Sequence, residues 1–157
     1  MPPTNNVTRM LAAKKVAFAA HELPAEKLGG EEAAAYLGVP AQQMFKTIVA
    51  VRTSGGKPVL ALVPAPAQLS LKALGRALDA KLQLASLAQA EQLTGLQTGG
   101  ISPLALIGKG FDTVLDQSAL DFETIYLSGG QRGINISMNP KDLVALTRAR
   151  VVGIAES

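Results

Sequence analysis

Two glycine-rich stretches and one lysine are the parts of this 157-residue chain whose residue types could do chemistry. The first stretch, Gly99–Pro103, reads Gly-Gly-Ile-Ser-Pro, and paired glycines let a bound group approach the main chain closely. Pro103 fixes its own φ and pushes Ser102 towards an extended conformation, so several backbone N–H groups can point one way. Such a loop can hold an anion or a polarised carbonyl oxygen, although Gly-Gly alone is more typical of a simple turn.

Lys46 lies near the start of a predicted strand over 45–52 and shares one face of it with Ile48 and Ala50. A lysine beside apolar surface either extends its ammonium to the edge or lies over a cleft, and most lysines at strand ends are simply solvated. In a cleft the ammonium could bind a phosphate or a developing negative charge. It could also lose its proton and act as a base.

The second glycine-rich stretch, Ser128–Gly133, reads Ser-Gly-Gly-Gln-Arg-Gly and separates two predicted strands. The pattern is as typical of a hairpin loop as of a binding site. As a binding site it would offer free backbone N–H groups, the Ser128 hydroxyl and the Arg132 guanidinium to a phosphate or a ribose.

The composition excludes several kinds of chemistry. The chain has no cysteine, which excludes disulfides, a thiolate nucleophile and thiolate metal sites. Its one histidine, His21, cannot make a zinc site by itself, and no Gly-x-Ser-x-Gly motif accompanies it. We therefore expect no metal and no cofactor. An enzyme of this composition would act by positioning and electrostatics on a substrate that is already reactive, such as an activated ester.

The charge pattern bears on partners and location. The formal net charge is +3, and the basic residues are scattered in ones and twos, which fits light contact with a nucleic acid. The N-terminus is polar, and no apolar run is long enough to cross a membrane. These features predict a soluble, cytoplasmic protein without a membrane partner.

Short elements of both kinds are predicted along the chain. Helical spacing and capping residues predict helices over 7–15, 31–37, 70–78, 86–93 and 140–146. Apolar runs predict strands over 16–23, 45–52, 58–63, 81–84, 113–115, 123–127, 134–137 and 151–154. Because these elements do not alternate strictly as βαβ units, we expect an α+β fold with a mixed, strongly curved sheet, in a single domain over residues 1–157.

Three segments, taken together, resemble a known family. Met44–Thr47, Gly99–Leu104 and Ile125–Gly133 have the order and spacing of the YbaK/EbsC family, the free-standing relatives of the editing domain inserted in bacterial prolyl-tRNA synthetases. The resemblance extends from about Val7 to Ile154. It implies a single domain in which helices surround a curved, barrel-like mixed sheet.

The resemblance also implies an activity. Members of the family hydrolyse mischarged aminoacyl-tRNA, and the expected substrate is Cys-tRNA(Pro), with Cys-tRNA(Cys) beside it. In that branch the substrate's own thiol attacks its carbonyl, in a hydrolase or lyase type of reaction. One alternative keeps the reaction and removes alanine or another small residue. An alternative of another class is a non-catalytic module that binds a nucleotide or a tRNA acceptor end. The implied partners are the tRNA acceptor end and, in a transient complex, prolyl-tRNA synthetase.

The resemblance finally assigns site residues. The implied catalytic residues are Lys46, Gly99, Gly100 and Ser102. The implied substrate-binding residues are Phe45, Thr47, Ile101, Pro103, Ser128, Gly129, Gly130, Arg132 and Asn135. The chain departs from the family pattern at Leu23, where many members have a tyrosine, and at Asn135, where members often have an acidic residue. These two departures leave the preferred amino acid open.

Overall fold

Five α-helices of eight residues each are present in the computed structural model, which describes residues 2–156. Several begin at polar side chains that accept a hydrogen bond from the first turn, such as Ser70 and Ser86, as the sequence predicted. The helices are α1 (Asn6–Ala13), α2 (Gly30–Leu37), α3 (Leu71–Leu78), α4 (Leu87–Thr94) and α5 (Pro140–Thr147). Short 3-10 turns lie at Ala41–Gln43, Pro103–Ala105 and Gln117–Asp121.

Ten strands form three sheets within the described residues. The strands are β1 (Phe18–Glu22), β2 (Phe45–Arg52), β3 (Val59–Pro64), β4 (Gln68–Leu69), β5 (Leu82–Leu84), β6 (Asp112–Asp116), β7 (Ile125–Ser128), β8 (Ile134–Met138), β9 (Arg150–Val152) and β10 (Ala155–Glu156). The largest sheet has the order β5-β2-β3-β6-β9 and is mixed, since its β3–β6 and β6–β9 pairs are parallel. The order β1-β8-β7 describes a second, antiparallel sheet, and β4 pairs with β10.

The α+β class and the mixed sheet are confirmed, but the sheet does not close into a barrel. The expected single curved sheet is divided in three. Between β2 of the largest sheet and β7 of the second, one isolated bridge joins Met44 to Tyr126. Among residues 2–156, no further pairing joins the two strands beyond that bridge, and a cavity lies beside the break.

The register of β2 leaves backbone groups open on the cavity side. The Ala65 N–H donates to the Met44 carbonyl, and hydrogen-bonded pairs alternate along an antiparallel ladder, so Lys46 and Ile48 use their backbone groups towards β3. Phe45 and Thr47 therefore direct their N–H and C=O groups to the opposite edge. There β5 pairs only with Ala50–Arg52. The first half of β2 is thus an open strand edge.

The core supports this edge from behind. All six residues of β3 are buried, as its continuous apolar run predicted. The largest cluster of buried side chains packs α1 and α5 against β7 and β8, and a second packs α3 against β3 and β6. No helix of residues 2–156 combines the length and the apolar character that crossing a membrane requires.

Candidate active site

A cavity of about 410 Å³ lies between the open edge of β2 and the β7–β8 hairpin. The segment from Leu23 to Gly30 borders it on one side, and the Gly99 loop and the beginning of α4 border it on another. The walls are mostly apolar, with polar groups at a few positions, which is the usual composition of a small-molecule site.

Eight of the thirteen predicted site residues line this cavity. They are Phe45, Lys46, Thr47, Gly99, Ile101, Ser128, Arg132 and Asn135. The other five, Gly100, Ser102, Pro103, Gly129 and Gly130, are not among its lining residues. The structure therefore brings the three predicted segments together around one space, and it divides them into a layer that faces the cavity and a layer behind it.

Lys46 is held at the cavity wall by a main-chain carbonyl. Its Nζ donates to the Ala65 carbonyl at 3.0 Å, which leaves two ammonium protons for another partner. Ala65 is in turn packed against Gly30, at the start of α2, where an added Cβ would lie 2.8 Å from the Ala65 Cβ. Gly30 thus lets α2 approach the carbonyl that positions Lys46.

Three buried polar atoms at the cavity have no protein partner. Within residues 2–156, the buried side-chain atoms without a hydrogen bond are Thr47 Oγ1, Thr98 Oγ1 and Asn135 Oδ1, and all three residues line the cavity. Buried polar groups are nearly always hydrogen-bonded, so three exceptions at one place mark where a polar ligand, or water in its absence, would bind.

The Gly99 loop presents main-chain donors beside these atoms. Gly99 has φ +93°, a value that favours glycine, and it lines the cavity together with Ile101. Within the described residues, the backbone N–H groups of Gly99 and Ile101 donate to no other group of the chain. They are available to a carbonyl or an anion in the cavity.

Two side chains brace this loop at Thr98. The Arg132 Nε donates to the Thr98 carbonyl at 2.8 Å, and the Thr98 N–H donates to Glu91 Oε2 at 2.7 Å. This N–H lowers the pKa of the Glu91 carboxyl, and the charges of Arg132 and Lys27 lower it further.

The residues behind the cavity serve the packing of the two glycine-rich segments. A Cβ at Gly100 would lie 2.8 Å from the Gln131 Cα and 2.9 Å from the Arg132 N, so the loops touch through their backbones. Ser102 is fully buried, and its hydroxyl accepts from the Leu104 N–H. Pro103 begins the 3-10 turn that follows.

Gly129 and Gly130 shape the turn of the β7–β8 hairpin. The Gly129 N–H donates to the Ile134 carbonyl, and an added Cβ would collide with the Ile134 side chain at 2.7 Å. Gly130 has φ +96°, and its N–H donates to the Ser128 hydroxyl. The Ser128 hydroxyl oxygen therefore accepts a hydrogen bond within the turn, and Ser128 also lines the cavity.

His21 lies on β1, outside the cavity, and its ring is hydrogen-bonded to another side chain. Its Nε2 is 2.8 Å from the Ser137 hydroxyl, and burial lowers its pKa. Among the described residues, no three histidine or carboxylate side chains gather into a possible metal site.

Sequence reasoning missed several residues that line the cavity. Lys27 adds a cation next to Gly99, since its Cγ would be 3.5 Å from a Cβ at that position. Leu84 and Leu87 form an exposed apolar rim, with 55% and 61% of their surface accessible. Among the missed residues, only the Gly29-Gly30 pair had a recognisable sequence signal, because two glycines before a helix allow close backbone approach.

Comparison with known proteins agrees with this geometry. The sequence pattern of the aminoacyl-tRNA editing domain matches residues 24–146, which include both walls of the cavity. The chain belongs to the aminoacyl-tRNA editing domain family. The resemblance drawn from the three motifs is thereby confirmed.

Individual members and relatives of the editing family extend the match. The Enterococcus faecalis protein named "Putative Cys-tRNA(Pro)/Cys-tRNA(Cys) deacylase EbsC" is 33% identical over 152 residues, covering 95% of this chain and 92% of the relative. The proline–tRNA ligase of Nitratidesulfovibrio vulgaris is 40% identical over 79 residues, which are 50% of this chain and 13% of the ligase.

A solved structure shares the editing fold along the whole chain. The crystal structure of "a putative trans-editing enzyme for prolyl tRNA synthetase" superposes with a TM-score of 0.79 at 27% identity. The superposition covers 99% of both chains. The chain therefore has the editing fold along its whole length.

Proposed function

We propose that this editing-domain protein deacylates misacylated tRNA in trans, with Cys-tRNA(Pro) as its main substrate and Cys-tRNA(Cys) as a related one. The observation that carries the proposal is the cavity itself. Polar atoms without protein partners, free main-chain donors and one anchored lysine surround a space that fits a small aminoacyl group.

The cavity offers electrostatics without a conventional nucleophile, which suits an aminoacyl ester because that ester is already activated. The N–H groups of Gly99 and Ile101 are available to the oxyanion that forms when the ester carbonyl is attacked. A single donor of this kind contributes roughly 3 kcal/mol to transition-state stabilisation in other enzymes.

A cysteine substrate would supply the nucleophile. Its sulfur attacks its own ester carbonyl, the bond to the ribose oxygen breaks, and the thiol proton passes to that oxygen. The released cysteine is a cyclic thioester, which water then opens. A cation in the cavity favours the thiolate form that attacks. We assign this role to Lys46, since its Nζ keeps two protons free at the cavity wall.

The tRNA acceptor end and prolyl-tRNA synthetase are the proposed partners. The named activity of the Enterococcus faecalis relative supports a cysteine ester on proline tRNA. The match to a segment of a proline–tRNA ligase and the superposition on a trans-editing protein support a transient complex with the synthetase.

The decisive test is deacylation of Cys-tRNA(Pro), Ala-tRNA(Pro) and Pro-tRNA(Pro) by the native chain and by Lys46→Ala. We expect cysteine to be released fastest, and Lys46→Ala to lose at least about a hundredfold in kcat/KM, the size expected for one electrostatic donor. The melting temperature should stay near the native value, because the lysine makes one hydrogen bond and is only half-buried.

Each other outcome has a definite meaning. Preferential loss of alanine would retain the deacylase and replace the substrate, since one thiol or methylene is worth only about 1–3 kcal/mol in an apolar pocket. Full activity of a folded Lys46→Ala would remove the lysine from the mechanism. Absence of hydrolysis of all three substrates would favour the non-catalytic binding module.

A further inference from the structure

A second depression, of about 800 Å³, shares no lining residue with the cavity. It lies at one end of the five-stranded sheet, where the β2–β3 turn, the starts of β6 and β9, and the ends of α1 and α5 meet. Its lining carries one carboxylate, Asp112, and five cations: Lys14, Arg52, Lys57, Arg148 and Arg150. We call this depression the basic groove.

The fold itself uses only part of this charge. Arg52 forms an ion pair with Asp112 at 2.9 Å, and Arg150 donates to the Ala77 carbonyl at the end of α3. Within residues 2–156, the side chains of Lys14, Lys57 and Arg148 make no hydrogen bond and no ion pair, although the chain has twelve acidic residues to offer.

Helix dipoles account for the positions of only two of the three remaining cations. Lys14 and Arg148 follow the last residues of α1 and α5, where a positive charge is favourable. That effect is confined to the last turn of a helix, and Lys57 lies in the turn between two strands. A concave surface with one dominant sign of charge concentrates an oppositely charged partner.

We propose that the basic groove binds the phosphate backbone of the acceptor stem of the tRNA whose acylated end lies in the cavity. This inference rests on the proposed function and adds to it the surface that holds the RNA. The lining has one aromatic residue, Phe111, and one exposed large apolar residue, Ile107. Cations without aromatic stacking platforms fit a phosphate backbone better than single-stranded bases. The scarcity of apolar anchors argues against a protein interface.

The separation of the two sites fits one RNA. Strand β2 runs from the cavity, at Lys46, to the groove, at Arg52, and six residues of strand cover about 20 Å. A stacked strand advances about 3.4 Å per nucleotide, so phosphates roughly six nucleotides from the ester lie at the right distance. Those nucleotides lie beyond the unpaired acceptor end, in the stem.

The Gly99 loop also joins the two sites. Ile101 lines the cavity and Pro103 lines the groove. Cα atoms two residues apart are at most about 7 Å apart, so the two surfaces meet across this loop. Pro103, which the resemblance assigned to substrate binding, is buried, and it borders the groove and not the cavity.

Two double variants test the groove with equal changes in net charge. Lys14→Gln/Lys57→Gln removes two exposed groove lysines that have no partner, and Lys72→Gln/Lys141→Gln removes two exposed lysines outside both sites. Binding of uncharged tRNA and of an RNA hairpin that copies the acceptor stem would be measured by fluorescence anisotropy between about 50 and 200 mM salt. Thermal unfolding would confirm that both variants are folded.

We expect the groove variant alone to change binding. Because each phosphate contact contributes about 0.7–0.9 to the slope of log K against log salt, its slope should fall by about 1.5. Over a fourfold change in salt, that difference amounts to roughly an eightfold loss of affinity at the low-salt end. The ratio of kcat/KM for acylated tRNA to kcat/KM for an acylated CCA trinucleotide should fall by a similar factor.

The result that overturns the inference is equal RNA binding by the two variants. Loss of binding to phosphatidylserine vesicles or to a poly-glutamate peptide, with RNA binding intact, would also overturn it and assign the groove another polyanion. The binding test uses RNA that carries no amino acid. Failure of the proposed deacylation would therefore leave the binding result intact, and the two proposals can fail separately.

Discussion

Two regions of this molecule differ in whether their buried polar groups have hydrogen-bond partners. The carboxylate of Asp116, at the end of β6, accepts from the backbone N–H groups of Ile154 and Ala155 and from Ser118. At the cavity, the buried oxygens of Thr47 and Asn135 have no protein partner. A partnered group stabilises the fold, whereas a set of unpartnered groups reduces stability and keeps binding capacity for a ligand.

The largest expected effect is on stability, at Asp116. Asp116→Ala leaves the buried Ile154 N–H and the partly buried Ala155 and Ser118 N–H groups without their acceptor, so we expect a loss of about 3 kcal/mol in the free energy of unfolding. Urea unfolding measures it, and Asp121→Ala, an exposed neighbour, is the control. Deacylation per folded molecule should stay native. A large loss of activity in the folded fraction would contradict the assignment of Asp116 to stability alone.

The next effect is on activity, at Thr47. Thr47→Val removes an unpartnered hydroxyl, so we expect the stability to be unchanged or slightly higher and kcat/KM for deacylation to fall about tenfold. Thr8→Val is the matched variant, because the Thr8 hydroxyl is buried and bonded to Asn5. It should lose about 1 kcal/mol of stability and no activity. Loss of stability without loss of activity in Thr47→Val, and the opposite in Thr8→Val, would show that the Thr47 hydroxyl binds no ligand.

A smaller effect should appear in the pH dependence of stability. Burial raises the pKa of the Asp116 carboxyl, but the hydrogen bonds from Ser118, Ile154 and Ala155 outweigh it, so the pKa lies below its ordinary value of 3.8. The stabilisation is therefore complete above that ordinary value and is lost as the pH falls below it. The urea midpoint of the native chain should drop more between pH 6 and about pH 3 than that of Asp116→Asn. Parallel curves for both proteins would assign the acid sensitivity to other groups.

The smallest effect extends the comparison to apolar groups. Leu87 and Leu93 are both exposed on α4, but only Leu87 lines the cavity. If the rim holds the terminal base of the substrate, Leu87→Ala should raise KM about threefold with kcat unchanged, and Leu93→Ala should change neither constant. Steady-state kinetics with acylated tRNA would show the difference, and equal KM values would exclude such a contact.

Much of the fold follows from short-range patterns. The caps at Ser70 and Ser86, the bounds of β2, and the complete burial of β3 agree with the sequence because capping and strand periodicity depend on residues a few positions apart. The closure of the sheet could not be predicted in the same way. It depends on how far hydrogen-bonded pairing continues between β2 and β7, and among residues 2–156 that pairing is limited to one bridge, at Met44.

The candidate site was likewise predictable only in part from the sequence. By itself, the sequence determined that three motifs belong together and that no cysteine nucleophile exists, and it pointed to Lys46 and the Gly99 loop as candidates for the chemistry. Only the tertiary structure decided that Gly100 lies behind the cavity while Gly99 faces it, and that Gly30 and Lys27 join the site. The physical reason is distance along the chain, since contacts such as those between Gly100 and Gln131 exist only after remote segments pack together.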